Sequence, residues 1–102
     1  MSEFLTIEDF AAHLNTTFRV DVPGDLDLEM VEVRDGSNER IEQFSVLFTG
    51  PVSPWLRQGT YTLQHPQLRE LAIFLVPLGP KNARMVYEAM FSRLIAGTQP
   101  VG

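Results

Sequence analysis

The chain has 102 residues, 44% of them hydrophobic and 21% charged, with no cysteine and a formal net charge of −5. A chain of this size folds as one domain that buries roughly 60–70% of its unfolded surface, and its composition lies far from that of disordered chains. The missing cysteine excludes disulfides, thiolate nucleophiles and Cys-ligated zinc, while the acidic balance opposes nonspecific binding to a polyphosphate, whose affinity comes from lysine and arginine.

The N-terminus, Met1-Ser2-Glu3-Phe4, carries an acid where a signal peptide would carry positive charge. No run approaches the ~18 apolar residues of a membrane span, so a cytoplasmic location without membrane contact is expected. Thr6 then precedes Ile7, Phe10, Ala11 and Leu14 at i, i+3, i+4, i+7 spacing, with Asp9 placed to complete a capping box. This predicts a helix over about 7–14, with Leu5 and Phe10 able to form a hydrophobic staple and Asn15 a left-handed stop.

From Thr17 the period becomes two: Phe18, Val20 and Val22 alternate with Thr17, Arg19 and Asp21 until Pro23-Gly24 turns the chain. Leu26, Leu28 and Met30 share one phase and Val31 and Val33 the other, which predicts a β-bulge or bend in the second strand. Asp35-Gly36-Ser37-Asn38 supplies a turn, and strand three runs from Ile41 to Phe48. Gly50 to Gly59 is a loop. Strand four holds Tyr61 and Leu63 and ends at Pro66, strand five is Leu71 to Val76, and Pro77-Leu78-Gly79-Pro80 closes it. Met85 to Leu94 reads as strand six, with a helix as the alternative, because Tyr87, Ala89 and Phe91 alternate. The runs Phe44–Phe48 and Leu71–Val76 read as strands buried on both faces.

The fold class predicted is therefore α+β and mainly β. A short N-terminal helix precedes five or six antiparallel strands in a strongly bent sheet or a small barrel of the Sm or SH3 type, with an open roll as the alternative. Residues 1–96 form one domain and 97–102 a flexible tail. In each case the helix plugs the core.

The segments FLTIEDF (Phe4–Phe10), FSVLFTGP (Phe44–Pro51), GTYTLQHP (Gly59–Pro66), IFLVPLGP (Ile73–Pro80) and YEAMF (Tyr87–Phe91) together resemble a family of small bacterial proteins that form a domain of unknown function. That resemblance implies a fold rather than an activity. Members encoded near phage-tail-collar-like proteins imply an accessory or assembly role. The element order also resembles an Sm-like domain, which would imply RNA binding. Here, however, the loop after strand three reads Thr49-Gly50-Pro51-Val52 and the turn before the last strand Pro80-Lys81-Asn82-Ala83-Arg84, without an Sm nucleotide-binding pattern, so nucleic acid is not an expected partner.

No constellation points to catalysis, and neither an enzyme nor a cofactor is expected. His13 and His65 lie in different elements without metal-ligand spacing, so each is read as structural and no metal site is expected. Ser45 or Ser53 with His65 lacks a GxSxG elbow. Glu8-Asp9 belong to the helix cap. Asp25, Asp27 and Glu29 form a solvated strand face without EF-hand spacing, and Glu39 and Glu42 make a further acidic pair without a distinct role. Lys81 and Arg84, with Arg93 further on, are dispersed loop cations.

One segment is unusual: Val52, Pro54, Trp55 and Leu56 place four apolar residues in a loop. Trp55 either folds back as a lid on the barrel or anchors a partner, and an exposed edge strand would give a second reason to associate. The function expected is a noncatalytic binding or assembly module, self-associating or binding another protein through this loop, with an Sm-like RNA binder as the alternative.

Overall fold

A computed structural model describes residues 6–94 of the chain, with the side chains of 6–92. The helix α1 spans Ile7–Ala11, and six strands follow: β1 Thr17–Val20, β2 Leu26–Asp35, β3 Ile41–Gly50, β4 Gly59–His65, β5 Leu68–Lys81 and β6 Arg84–Leu94. All neighbouring strands are antiparallel, and the order β1-β2-β3-β6-β5-β4 closes a barrel. The mainly β reading, with one short helix and a last segment that is a strand, holds. The staple residue Leu5 and the tail 97–102 lie outside the described residues.

A five-residue helix cannot stand alone in water, so its ends and its one buried side chain hold it. Thr6 and Asp9 form the expected capping box: the Asp9 N–H donates to Thr6 Oγ1 at 3.3 Å and the Thr6 N–H to Asp9 Oδ2 at 2.8 Å. The helix is shorter than expected. After Ala11 the bonds tighten to i→i−3, from His13 N–H to the Phe10 carbonyl (2.9 Å) and from Leu14 N–H to the Ala11 carbonyl (3.3 Å), and Asn15 stops the turn at φ 64°. Ala11 and Leu14, expected on the buried stripe, are therefore exposed, whereas Phe10 is wholly buried.

The change of phase in β2 appears as a bulge between Met30 and Glu32, so that Val31 opposes no residue of β3. β1 presents Phe18 and Val20 inward and pairs with β2 on one side. Its other side closes the ring on β4 through Arg19↔Gln64 and Val20↔Leu63. β6 lies between β3 and β5, with a ten-residue ladder to β3 from Ile41↔Leu94 to Gly50↔Met85.

Two expectations about the apolar runs need correction. β5 does not end at Val76: it continues through Pro77-Leu78-Gly79-Pro80 to Lys81, with a register shift between Pro77 and Gly79, and Gly79 adopts φ 111°. The strand can hold two prolines because its ladder to β4 ends at Gly59↔Leu75. Beyond that point β6 is its ladder partner, and prolines are accepted on such an edge. Nor is the Leu71–Val76 run buried on both faces. Ile73 and Leu75 point into the core, but Phe74 is 50% exposed, because no second layer among the described residues covers the outer surface of β5. The Phe44–Phe48 run does bury both faces, with Leu47 as well as Val46 and Phe48 shielded.

The core is plugged at both ends. At one end Phe10 packs against Phe44 (5.7 Å between ring centroids) and Phe91 (5.2 Å), which stack on each other at 5.0 Å. At the other end, four residues further along the β3–β6 ladder, Tyr87 is buried and the loop after β3 inserts Leu56.

Gly50, the first residue of the expected loop, is the last residue of β3. Its role is a close approach: a Cβ there would stand 2.6 Å from Leu28 Cδ2, and Leu28 is itself buried in the core. Gly50→Ala is expected to lower the unfolding free energy by about 1–3 kcal/mol, the usual cost of overpacking a dense core. Urea denaturation followed by circular dichroism measures it, and a variant as stable as the parent would contradict the packing argument.

Candidate functional site

The loop between β3 and β4 carries the side chains singled out in the sequence, and the barrel divides them into two groups. Leu56 is 8% exposed and belongs to the core. Its backbone N–H donates to the Tyr87 hydroxyl at 2.8 Å inside the barrel. Burial pushes the Tyr87 phenol above its ordinary pKa, against the smaller opposing pull of that N–H. One residue further on, the Tyr61 hydroxyl donates to the Arg57 carbonyl at 2.7 Å. The loop is thus fastened from both flanking sides of the barrel.

Val52, Pro54 and Trp55 remain outside. Trp55 is 50% exposed and Val52 45%, so the indole is not a closed lid. Its neighbour Leu56 is fixed by both side chain and backbone, which holds the Trp55 backbone close to a rigid point while its ring meets solvent. An exposed aromatic on a pinned loop loses little conformational freedom on contact, a property of interface anchors.

The outer barrel surface carries further apolar side chains that sequence reasoning missed: Phe74, Leu78 on the β5 bulge, and Met90 on β6. Period two offered the signal for Phe74 and Met90, since each alternates with buried neighbours, Ile73 and Leu75 for the first and Ala89 for the second.

The two histidines, placed in different elements by the sequence and each read as structural, converge at the end of the barrel beside α1. Their rings stand 4.8 Å apart, edge to face. His65 accepts from the Gln67 N–H at Nδ1 (3.1 Å), and its Nε2 lies 3.0 Å from Thr16 Oγ1. His13 Nδ1 lies 2.9 Å from the Asp9 carbonyl. Both ring nitrogens of His65 are thereby engaged in structural bonds. Burial, and then the neighbouring His13, push its pKa below the usual histidine value.

Other candidate groups are held in structural roles as well. Asp27 pairs with Arg19 at 3.7 Å, and the Asp35 carboxylate takes the Ser37 N–H at 2.8 Å within the β2–β3 turn. Arg84 donates to the side-chain and backbone oxygens of Thr49. Among the described residues, no group of three His, Cys, Asp or Glu side chains could hold a metal ion. Also among them, no helix is long and apolar enough to cross a membrane.

Residues 5–91 match the model of one protein family, described as a domain of unknown function (DUF6916). Neither a curated protein nor a solved structure matches the chain.

Proposed function

The chain belongs to this family of unknown function, and from that premise we propose that it is a noncatalytic interaction module whose β3–β4 loop docks a protein partner, a second copy of this chain foremost. The observation that carries the reading is Trp55: the only tryptophan stands half-exposed beside a residue locked into the core. Val52 and Pro54 widen the apolar contact, while Leu56 serves as its foundation rather than as a contacting residue. Ring closure removes most of the free strand edge on which association had been expected to draw, so the loop bears more of the proposal than an edge strand does. His65, with both ring nitrogens bonded within the fold, has a structural part in this reading.

Light scattering after size exclusion tests it. The parent chain is expected to exceed the 11.5 kDa of a monomer, and Trp55→Ala to weaken association by roughly 30-fold or more, corresponding to about 2 kcal/mol for a central aromatic anchor. Strictly monomeric behaviour of both proteins would remove self-association from the proposal.

A further inference from the structure

The ring closes without every strand being flanked along its whole length. β6 pairs with β3 from Met85 to Leu94, but its ladder to β5 stops at Val76↔Glu88, so Ala89–Leu94 have a strand on one side only among the described residues. The tight turn Asn82-Ala83, with φ 51° and 63°, fixes which backbone groups are free there. Lys81 and Arg84 flank that turn as a hydrogen-bonded pair. From Arg84 onward, alternate residues of β6 therefore turn their N–H and C=O toward β5, and the residues between them toward β3. Ala89, Phe91 and Arg93 accordingly bond β3, whereas Met90, Ser92 and Leu94 present donors and acceptors to the open side.

Other stretches with a neighbour on one side are guarded. β5 outruns β4 after Leu75, and there Pro77 and Pro80 fall where an N–H would face away from β6, so the missing donors blunt that edge. The earlier part of β5, which lacks β6 alongside, carries the exposed charges of Arg69 and Glu70. Beyond Met30, β2 has left β1 and the turn before it, and its remaining stretch carries Glu32, Arg34 and Asp35, charges that deter an added strand. Ala89–Leu94 has neither proline nor acid. Its one charged residue, Arg93, stands opposite Glu42 in the β3 ladder, and solvent reaches the margin at Met90, which is 61% exposed, and at Ser92.

We infer that Met90–Leu94 is an association edge and that a second copy of this chain occupies it, β6 against β6, antiparallel about a two-fold axis. Charge singles out that occupant. With a net charge of −5, two copies repel over much of their surface, and this margin lets them meet where charge is balanced within each chain. A strongly acidic or basic strand gains nothing from it. The margin is also self-complementary: with Ser92 at the axis, Met90 of each copy opposes Leu94 of the other, every free N–H meets a free C=O, and the contact closes on itself. The result is one continuous sheet in the order β2-β3-β6-β6-β3-β2. The edge lies at the Ile41↔Leu94 end of the β3–β6 ladder, whereas the Trp55 loop leaves the barrel beyond Gly50↔Met85, so this contact does not rest on the one assigned to the loop.

The test uses full-length Trp55→Ala, in which the loop contact is weakened, with amide exchange followed at low-micromolar and near-millimolar concentration, because a contact of this size is weak. Protection at Met90 and Ser92 is expected to rise about tenfold or more at the higher concentration, while Ala89 and Phe91, bonded to β3, keep theirs throughout. Adding Ser92→Pro removes a donor from the open side and none from the β3 ladder, and the concentration dependence at Met90 is expected to vanish. Should that variant not fold, Met90→Lys takes its place: the position is exposed, and light scattering is expected to show a monomer where Trp55→Ala alone is a dimer. Equal protection at both concentrations overturns the inference, whether exchange is fast, which leaves the edge unused, or slow, which places its cover within one chain. An oligomeric parent with that result leaves the loop reading standing and removes only the edge.

Discussion

Phe10→Ala is expected to lower the unfolding free energy by about 3–5 kcal/mol, the range for truncating a buried phenylalanine. That is a large share of the roughly 5–15 kcal/mol that holds a domain together. The reason is the division of labour in α1. A single helical turn gains little from its own backbone bonds, and Phe10 is its one fully buried side chain. Removing the ring leaves a void between Phe44 and Phe91 and takes away the contact that keeps the capped turn on the barrel. Denaturant unfolding gives the magnitude. Hydrogen exchange should also show the amides of Ala12 and His13 losing protection before those of β3. Uniform loss across the barrel would mean that the helix and barrel unfold as one unit.

Leu56→Ala should cost about 2–5 kcal/mol, the range for core leucines, although the residue sits in a loop. It forms the plug at the opposite end, and its N–H is one of the few polar groups brought inside, where the Tyr87 hydroxyl meets it. Because Leu56 sits beside Tyr87 and Phe10 between Phe44 and Phe91, at opposite ends of the barrel, their effects should add to within about 0.5 kcal/mol in the double variant. A larger coupling would show that the two ends communicate through the core. The same substitution bears on the proposed contact: with Leu56 loosened, Trp55 loses its rigid neighbour, so association should weaken even though the indole is unchanged.

The features legible in the sequence are those written over short spans. Thr6 and Asp9 lie three residues apart and bond as their spacing implies. The bulge at Val31 was visible as two apolar residues in the wrong phase, and β6 as an alternation sustained by Tyr87, Ala89 and Phe91. What could not be read depends on closure. His13 and His65 meet only because β1 pairs with β4, and the fate of Leu56 is decided by Tyr87, 31 residues away. Pro77 and Pro80 read as the end of a strand because sequence alone does not reveal that β5 outruns its neighbour β4. The outward Phe74 looked like core because phenylalanine is a core residue by habit, and only the sidedness of β5 turns it to solvent.

The position of β6 has a consequence for the order in which the molecule can be built. As the last of the described strands, it occupies the gap between β3 and β5, and its ladder to β3 joins Ile41 to Leu94. A nascent chain that has emerged only as far as β5 can therefore form the β1–β2–β3 meander and the β4–β5 hairpin, joined through β1 and β4, yet it cannot form a ring. Until the final eleven residues of β6 arrive, Val46 and Phe48 on one side and Leu75 on the other lack the strand that shields them. Arrival of β6 is thus the step that makes the barrel a closed object, and a chain truncated before Arg84 is not a shorter version of the barrel but an open sheet with two unprotected margins.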